Sequence, residues 1–366
     1  PPPFGQTTLT AIPGEAAAAK YASISQEILR AIEKGNEYLK SKQNPEGYWA
    51  QPSYPALTAL AVTAYMRDPA NQGKPVPEYI RKGYDFILKS QKEDGSIFNR
   101  GMSSYNTAVC MMALLAANKE EYAPAILKGR AYLIKQQNHF APDNPYNGGI
   151  GYGDKQAPPI ADLSNTSLAL EAIYYSQKLA KDGKYGEQPD LDWNAATEFI
   201  NRCQQNPAVN KEPWVSNDKS QLGGFVYRPG VSSARDKKSA AFDKAEPPKA
   251  YGSMTYAGMQ SLIYANVDKN DPRVKLALKW LENSYSLDEN PGMGVQGLYY
   301  YYQAMSKALS AMGIDTLTLE NGRKVDWRDE LANKLISIQK SDGSWVNTNN
   351  RWWEADPVLV TSYCVL

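Results

Sequence analysis

The chain has 366 residues, with Lys+Arg 40 against Asp+Glu 39. That balance offers no basic face for a nucleic acid, and no apolar run approaches the roughly 18 residues a membrane span needs. A single His, His139, and three widely spaced cysteines, Cys110, Cys203 and Cys364, argue against a zinc site and against a His-activated nucleophile, so neither metal nor cofactor is expected.

Residues 1–23 are rich in Pro, Thr and Ala and read as a linker; the chain starts at Pro1 rather than Met, which leaves export open and the compartment unassigned. An amphipathic helix is predicted over 25–40, where Ile24, Ile28, Ile32 and Leu39 recur at helical spacing. The stretch Gln43-Asn-Pro-Glu-Gly47-Tyr-Trp49 follows. Next comes 56–66, which has no charged face and must therefore be buried on all sides. The pairing of an amphipathic with an apolar helix then repeats: 78–90 with 106–117, 124–137 with 165–175, 193–205 with 255–265, 272–284 with 295–309, and 327–339 with 358–366. Inserts at 138–161 and 206–250 interrupt the series, the second carrying Arg228, Arg235, Lys237, Lys238, Lys244 and Lys249. Asn321-Gly322 between alternating segments predicts a short β-hairpin over 316–325.

Each hairpin turns on a variant of Gln-x3-Gly-x-Trp. The clearest copies are Gln43 to Trp49 and Gln339-Lys-Ser-Asp-Gly343-Ser-Trp345; Gln91-Lys-Glu-Asp-Gly95-Ser-Ile97 is a weaker one. Gln137 ahead of Gly148-Gly149-Ile150 and Gln205 ahead of Gly223-Gly224-Phe225 are copies stretched by the inserts, and 290–294 keeps only the glycines. Six such units predict an all-α (α/α)6 toroid, one domain over 24–366, with the apolar helices inside and closure burying both ends of the array. Leu60, Cys110, Ala169, Leu262, Tyr302 and Leu359 mark the expected inner ring, and Trp49 and Trp345 are expected to brace neighbouring hairpins.

The repeat resembles the QW motif of squalene-hopene and oxidosqualene cyclases, whose toroid is shared with the protein prenyltransferase β subunits. Gly148-Gly149-Ile150 followed by Asp162-Leu163-Ser164-Asn165-Thr166 is similar to the Gly-Gly-Trp and Asp-x-Asp-Asp-Thr of the hopene cyclases. The resemblance implies a central cavity for an isoprenoid or other amphipathic ligand. In that family the middle Asp is the general acid; here Ser164 stands in its place and Asn165 in the next, so class II cyclisation is not expected. The Asp, Cys and His zinc ligands of the prenyltransferases have no counterpart.

Asp162 and Asp356 each precede an apolar helix, as a helix cap or as a catalytic acid. Placed at a helix N-terminus, Asp162 is expected to have a lowered pKa. Tyrosine is abundant, 25 Tyr against 7 Phe, and Tyr105, Tyr174, Tyr256, Tyr299 and Tyr302 are candidates to line the cavity with Asn106, Asn165 and Arg228. Parallel inner helices would also bring their N-termini together as a rim that favours anions. Two further readings remain open: a non-catalytic module binding a ligand or partner in the toroid mouth, and a polysaccharide-active toroid, which would need two carboxylates facing each other across the cavity.

Overall fold

The computed structural model describes residues 15–153, 160–234 and 247–366. Arg235, Lys237, Lys238 and Lys244 lie outside the described residues, as does most of the predicted linker. The helices are α1 (Glu15–Ser41), α2 (Pro55–Arg67), α3 (Glu78–Lys89), α4 (Ser103–Ala116), α5 (Ala123–Lys135), α6 (Leu163–Tyr175), the single turn α7 (Gln177–Ala180), α8 (Trp193–Cys203), α9 (Gly252–Tyr264), α10 (Pro272–Ser284), α11 (Leu298–Met312), α12 (Trp327–Ile338) and α13 (Pro357–Val365). The helix α1 begins earlier than the periodicity predicts, because the alanines at 16–19 are strong helix formers that need no apolar face. The hairpin around Asn321-Gly322 pairs β1 (Thr316–Thr318) with β2 (Lys324–Asp326) antiparallel.

Apolar patterning sorts the helices into two rings. In α2 every residue from Pro55 to Ala64 is buried, whereas α3 buries only Ile80, Gly83, Tyr84 and Ile87, one stripe at helical spacing. The inner helices touch in cyclic order: α2 meets α4, α4 meets α6, α6 meets α9, α9 meets α11, α11 meets α13, and α13 returns to α2. The helix α1 packs on both α12 and α13, so the first and last hairpins join and the all-α toroid is closed.

The repeated turn explains how successive hairpins lock. The Gln43 amide donates to the Gly47 carbonyl of its own turn at 3.0 Å and to the Tyr79 carbonyl in the next outer helix at 2.7 Å. Gln91 does the same with Gly95 and Ala125, Gln137 with Gly148 and Asp192, and Gln339 with Gly343 and Ala31. In the fourth turn Gln204, not Gln205, fills this role, bonding Gly223 and Arg273; the two are adjacent and only Gln204 pairs with Phe225 across the turn. Asn290 keeps the bridge to Gly294 but turns its shorter side chain toward α9. Glycine is required at the turn: Gly343 has φ +88, and a Cβ there would stand 2.4 Å from the Lys34 carbonyl oxygen. Trp49 and Trp345 are 0% and 2% exposed, with their indole N–H groups on the Leu39 and Leu335 carbonyls.

Candidate functional site

The inner helices start side by side, and each start meets an acceptor from the chain itself. Ala56 N–H donates to Asn106 Oδ1 at 3.0 Å for α2, and Ser104 N–H to the Tyr152 carbonyl for α4. Asn165 N–H donates to Asp162 Oδ1 at 2.8 Å for α6, and Ser253 N–H to Asn290 Oδ1 for α9. Tyr300 N–H donates to Glu354 Oε1 at 2.8 Å for α11, and Val358 N–H to Asp356 Oδ1 at 2.8 Å for α13. The expected anion-binding rim is therefore corrected. Three of these acceptors are carboxylates, which already answer the helix dipoles and would repel a further anion.

Asp162 is 2% exposed. Its second oxygen accepts from Asn165 Nδ2 at 2.8 Å. Burial pushes its pKa up to about 6, while the Asn165 and Tyr227 hydrogen bonds and the Arg228 charge pull the other way. This overturns the expected lowering, because the loss of solvent outweighs the helix end. Tyr227 and Arg228 are delivered by the second insert, which is pinned over α6 by the bond from Leu163 N–H to the Tyr227 carbonyl. The Tyr227 hydroxyl also lies 3.4 Å from that of Tyr152, which is 39% exposed. Glu354, 1% exposed, is likewise raised by burial and accepts from Asn347 Nδ2 at 2.7 Å. No spacing rule in the sequence singles it out, since it caps α11 from the loop between α12 and α13 of the following hairpin.

Down the axis the toroid is nearly filled. Tyr105 and Tyr363 share a hydrogen bond, and the Tyr300 hydroxyl lies 3.2 Å from Ser164 Oγ. Below these rings is a cavity of about 40 Å³, whose polar lining is Thr63, Arg67, Glu171, Gln303 and Lys307 alongside the tyrosines. By contrast, a groove of about 400 Å³ opens between the starts of α2 and α13, lined by Gln51, Leu57, Asn350, Trp353, Asp356 and Leu359 among others. Trp352 and Trp353 beside it are each 43% exposed and adopt φ of 56° and 64°, a left-handed conformation uncommon for bulky residues. Trp353 packs on Tyr54 with ring centroids 4.7 Å apart, and the Arg351 guanidinium sits over Trp352 at 4.5 Å.

The other candidates are dispersed. Tyr105 lines the axial cavity, and Asn106 and Asn165 serve the helix starts. Tyr174 is 39% exposed, stacked with Tyr175 and Tyr264 at the far end of α6. Tyr256 is buried against Tyr301; the Tyr299 and Tyr302 hydroxyls donate to the Val346 and Leu287 carbonyls. In the 299–302 run it is Tyr300 that lines the axial cavity, through the helical rotation that also directs Gln303 and Lys307 there. Neither cavity places two carboxylates opposite each other: Glu171 lines one, tied to Lys307 at 2.9 Å, and Asp356 the other. Among the described residues no cluster of His, Cys, Asp and Glu is arranged to hold a metal ion, and no helix is long and apolar enough to cross a membrane.

The toroid fold is shared with solved structures of a type II terpene cyclase. No protein-family model matches the chain. The type II terpene cyclase MstE from Scytonema superposes with a TM-score of 0.51 at 10% identity, over 93% of this chain and 97% of that one. A variant of MstE in complex with geranylgeranyl dihydroxybenzoate, its substrate, gives 0.53 at 10% identity over 93% and 96%. Another variant, in complex with the product merosterolic acid A, gives 0.52 at 11% identity over 93% and 95%.

Proposed function

We propose that this chain is a ligand-binding protein of terpenoid-cyclase-like architecture, which holds an amphipathic molecule at the mouth of the toroid and performs no class II cyclisation. The contrast between the two cavities carries the reading. The axial space of about 40 Å³ is too small for an isoprenoid chain, whereas the mouth groove of about 400 Å³ has the size of a small-molecule site. Its lining suits an amphipathic ligand: Leu57, Leu359 and the Trp353 ring offer apolar contact, and Gln51, Asn350 and Asp356 offer polar contact to a head group. The replacement of the acid motif by Ser164 and Asn165 supports the absence of cyclisation.

Titration with geranylgeraniol, followed by tryptophan fluorescence, tests the binding. Saturable quenching is expected, with affinity at least about tenfold weaker in Trp353→Ala. Binding of equal affinity in that variant, combined with loss on Tyr300→Ala, would place the ligand on the axis and sink the proposal.

A further inference from the structure

The axial cavity holds polar groups that the packing of the toroid does not account for. Gln303 is 7% exposed, and its Nε2 is buried without a hydrogen-bond partner. A buried amide N–H left without an acceptor is unfavourable, so an acceptor in the cavity would be drawn to it. Arg67, on the last turn of α2, lines the same space and makes no side-chain hydrogen bond or ion pair with another described residue. Lys307 and Glu171 neutralise each other across the cavity at 2.9 Å, which leaves the Arg67 charge uncompensated there. The remaining wall is apolar, formed by Leu60, Val109, Met112 and Leu168.

We infer that this cavity is a binding site for a short-chain carboxylate. One negative charge matches the one unpaired guanidinium, whose planar fork suits two carboxylate oxygens. A second acceptor lone pair answers Gln303 Nε2, and a methyl or ethyl group meets the apolar wall. The volume sets the length. At about 40 Å³ the cavity admits a ligand of only a few heavy atoms. Acetate and propionate fit; a six-carbon acid does not. The site is separate from the mouth groove and does not depend on the proposal made for it.

The test uses 13C-labelled acetate with the full chain, read by carboxylate NMR line broadening and by thermal shift against chloride at equal ionic strength. Acetate is expected to broaden and to raise the melting temperature above the chloride control, propionate to compete, and hexanoate to fail. Arg67→Met and Gln303→Leu are each expected to weaken acetate binding at least about tenfold. Equal effects of acetate and chloride in the wild type would overturn the inference. So would undiminished acetate binding in both variants, or competition by hexanoate as strong as by propionate. Should either variant fail to fold, the wild-type comparison of chain lengths still decides.

Discussion

The rim of the toroid, here the repeated Gln-x3-Gly turns, and its mouth, where the inner helices start, are held together in different ways. At the rim, one device recurs: a Gln amide bridges its own turn and the next outer helix, over a glycine that lets the two backbones approach. At the mouth each inner helix finds its own acceptor, an Asn from a neighbouring helix here, a Glu from the loop between the next hairpin's two helices there. Repetition marks what the architecture needs from every unit. Irregularity marks where units have diverged, and the groove, the insert and the left-handed tryptophans all lie on that side.

Truncation at the rim should give the largest effect. Trp49→Ala and Trp345→Ala, each emptying a buried indole site, are expected to cost about 3–5 kcal/mol in denaturant unfolding. Losses near zero would mean the turns do not brace the ring. Gln339→Leu breaks the bond that joins the last turn to Ala31 and leaves the Gly343 carbonyl without its donor, an expected cost of about 1–3 kcal/mol. Its signature is faster hydrogen exchange in α1 and α12 together; an effect confined to α12 would show that the ring closes without it. Gly343→Ala should cost about 1–3 kcal/mol, because it forces a side chain into φ +88 against the Lys34 carbonyl.

The mouth should respond to pH in the sense opposite to the repeated turns, where hydrogen bonds from Ser96 and Ser344 lower the Asp94 and Asp342 carboxyls. Asp162 has a folded pKa of about 6 against 3.8 for the free group, so between these values the folded state binds the extra proton. Its contribution is fully present below about pH 3.8 and is lost as pH rises through 6, up to about 2–3 kcal/mol for a shift of this size. Asp162→Asn keeps an oxygen for the Asn165 N–H and removes the titration. Relative to wild type it should gain stability between pH 4 and 7, measured by urea unfolding across that range. A pH-independent difference would show that the carboxyl titrates alike folded and unfolded. Trp353→Ala should have the smallest effect on stability, since the side chain is 43% exposed and its backbone already strained.

Legibility in the sequence followed the same division. The hairpins, the inner ring and the bracing tryptophans were readable, because periodicity and a repeated turn report on backbone packing. Asp162 was readable as a cap, but the sign of its pKa shift was not: that depends on the insert folding over it, and no spacing shows it. Tyr300 was hidden among four consecutive tyrosines until the rotation of α11 was known. Glu171, Gln303 and Lys307 come together only through ring closure, across α6 and α11, so a linear reading had nothing to join them. The near-filled axis was likewise out of reach, since the sequence lists the tyrosines without their directions.

The central claim, an occupied axis beneath an open mouth, meets its most direct test in product analysis. Purified protein incubated with squalene, oxidosqualene and geranylgeranyl dihydroxybenzoate should return each substrate unchanged across pH 5–8, with Asp162→Asn indistinguishable from wild type. A cyclic product formed by the wild type and lost in Asp162→Asn would contradict the account, since it would require both a space on the axis and a proton from that carboxyl.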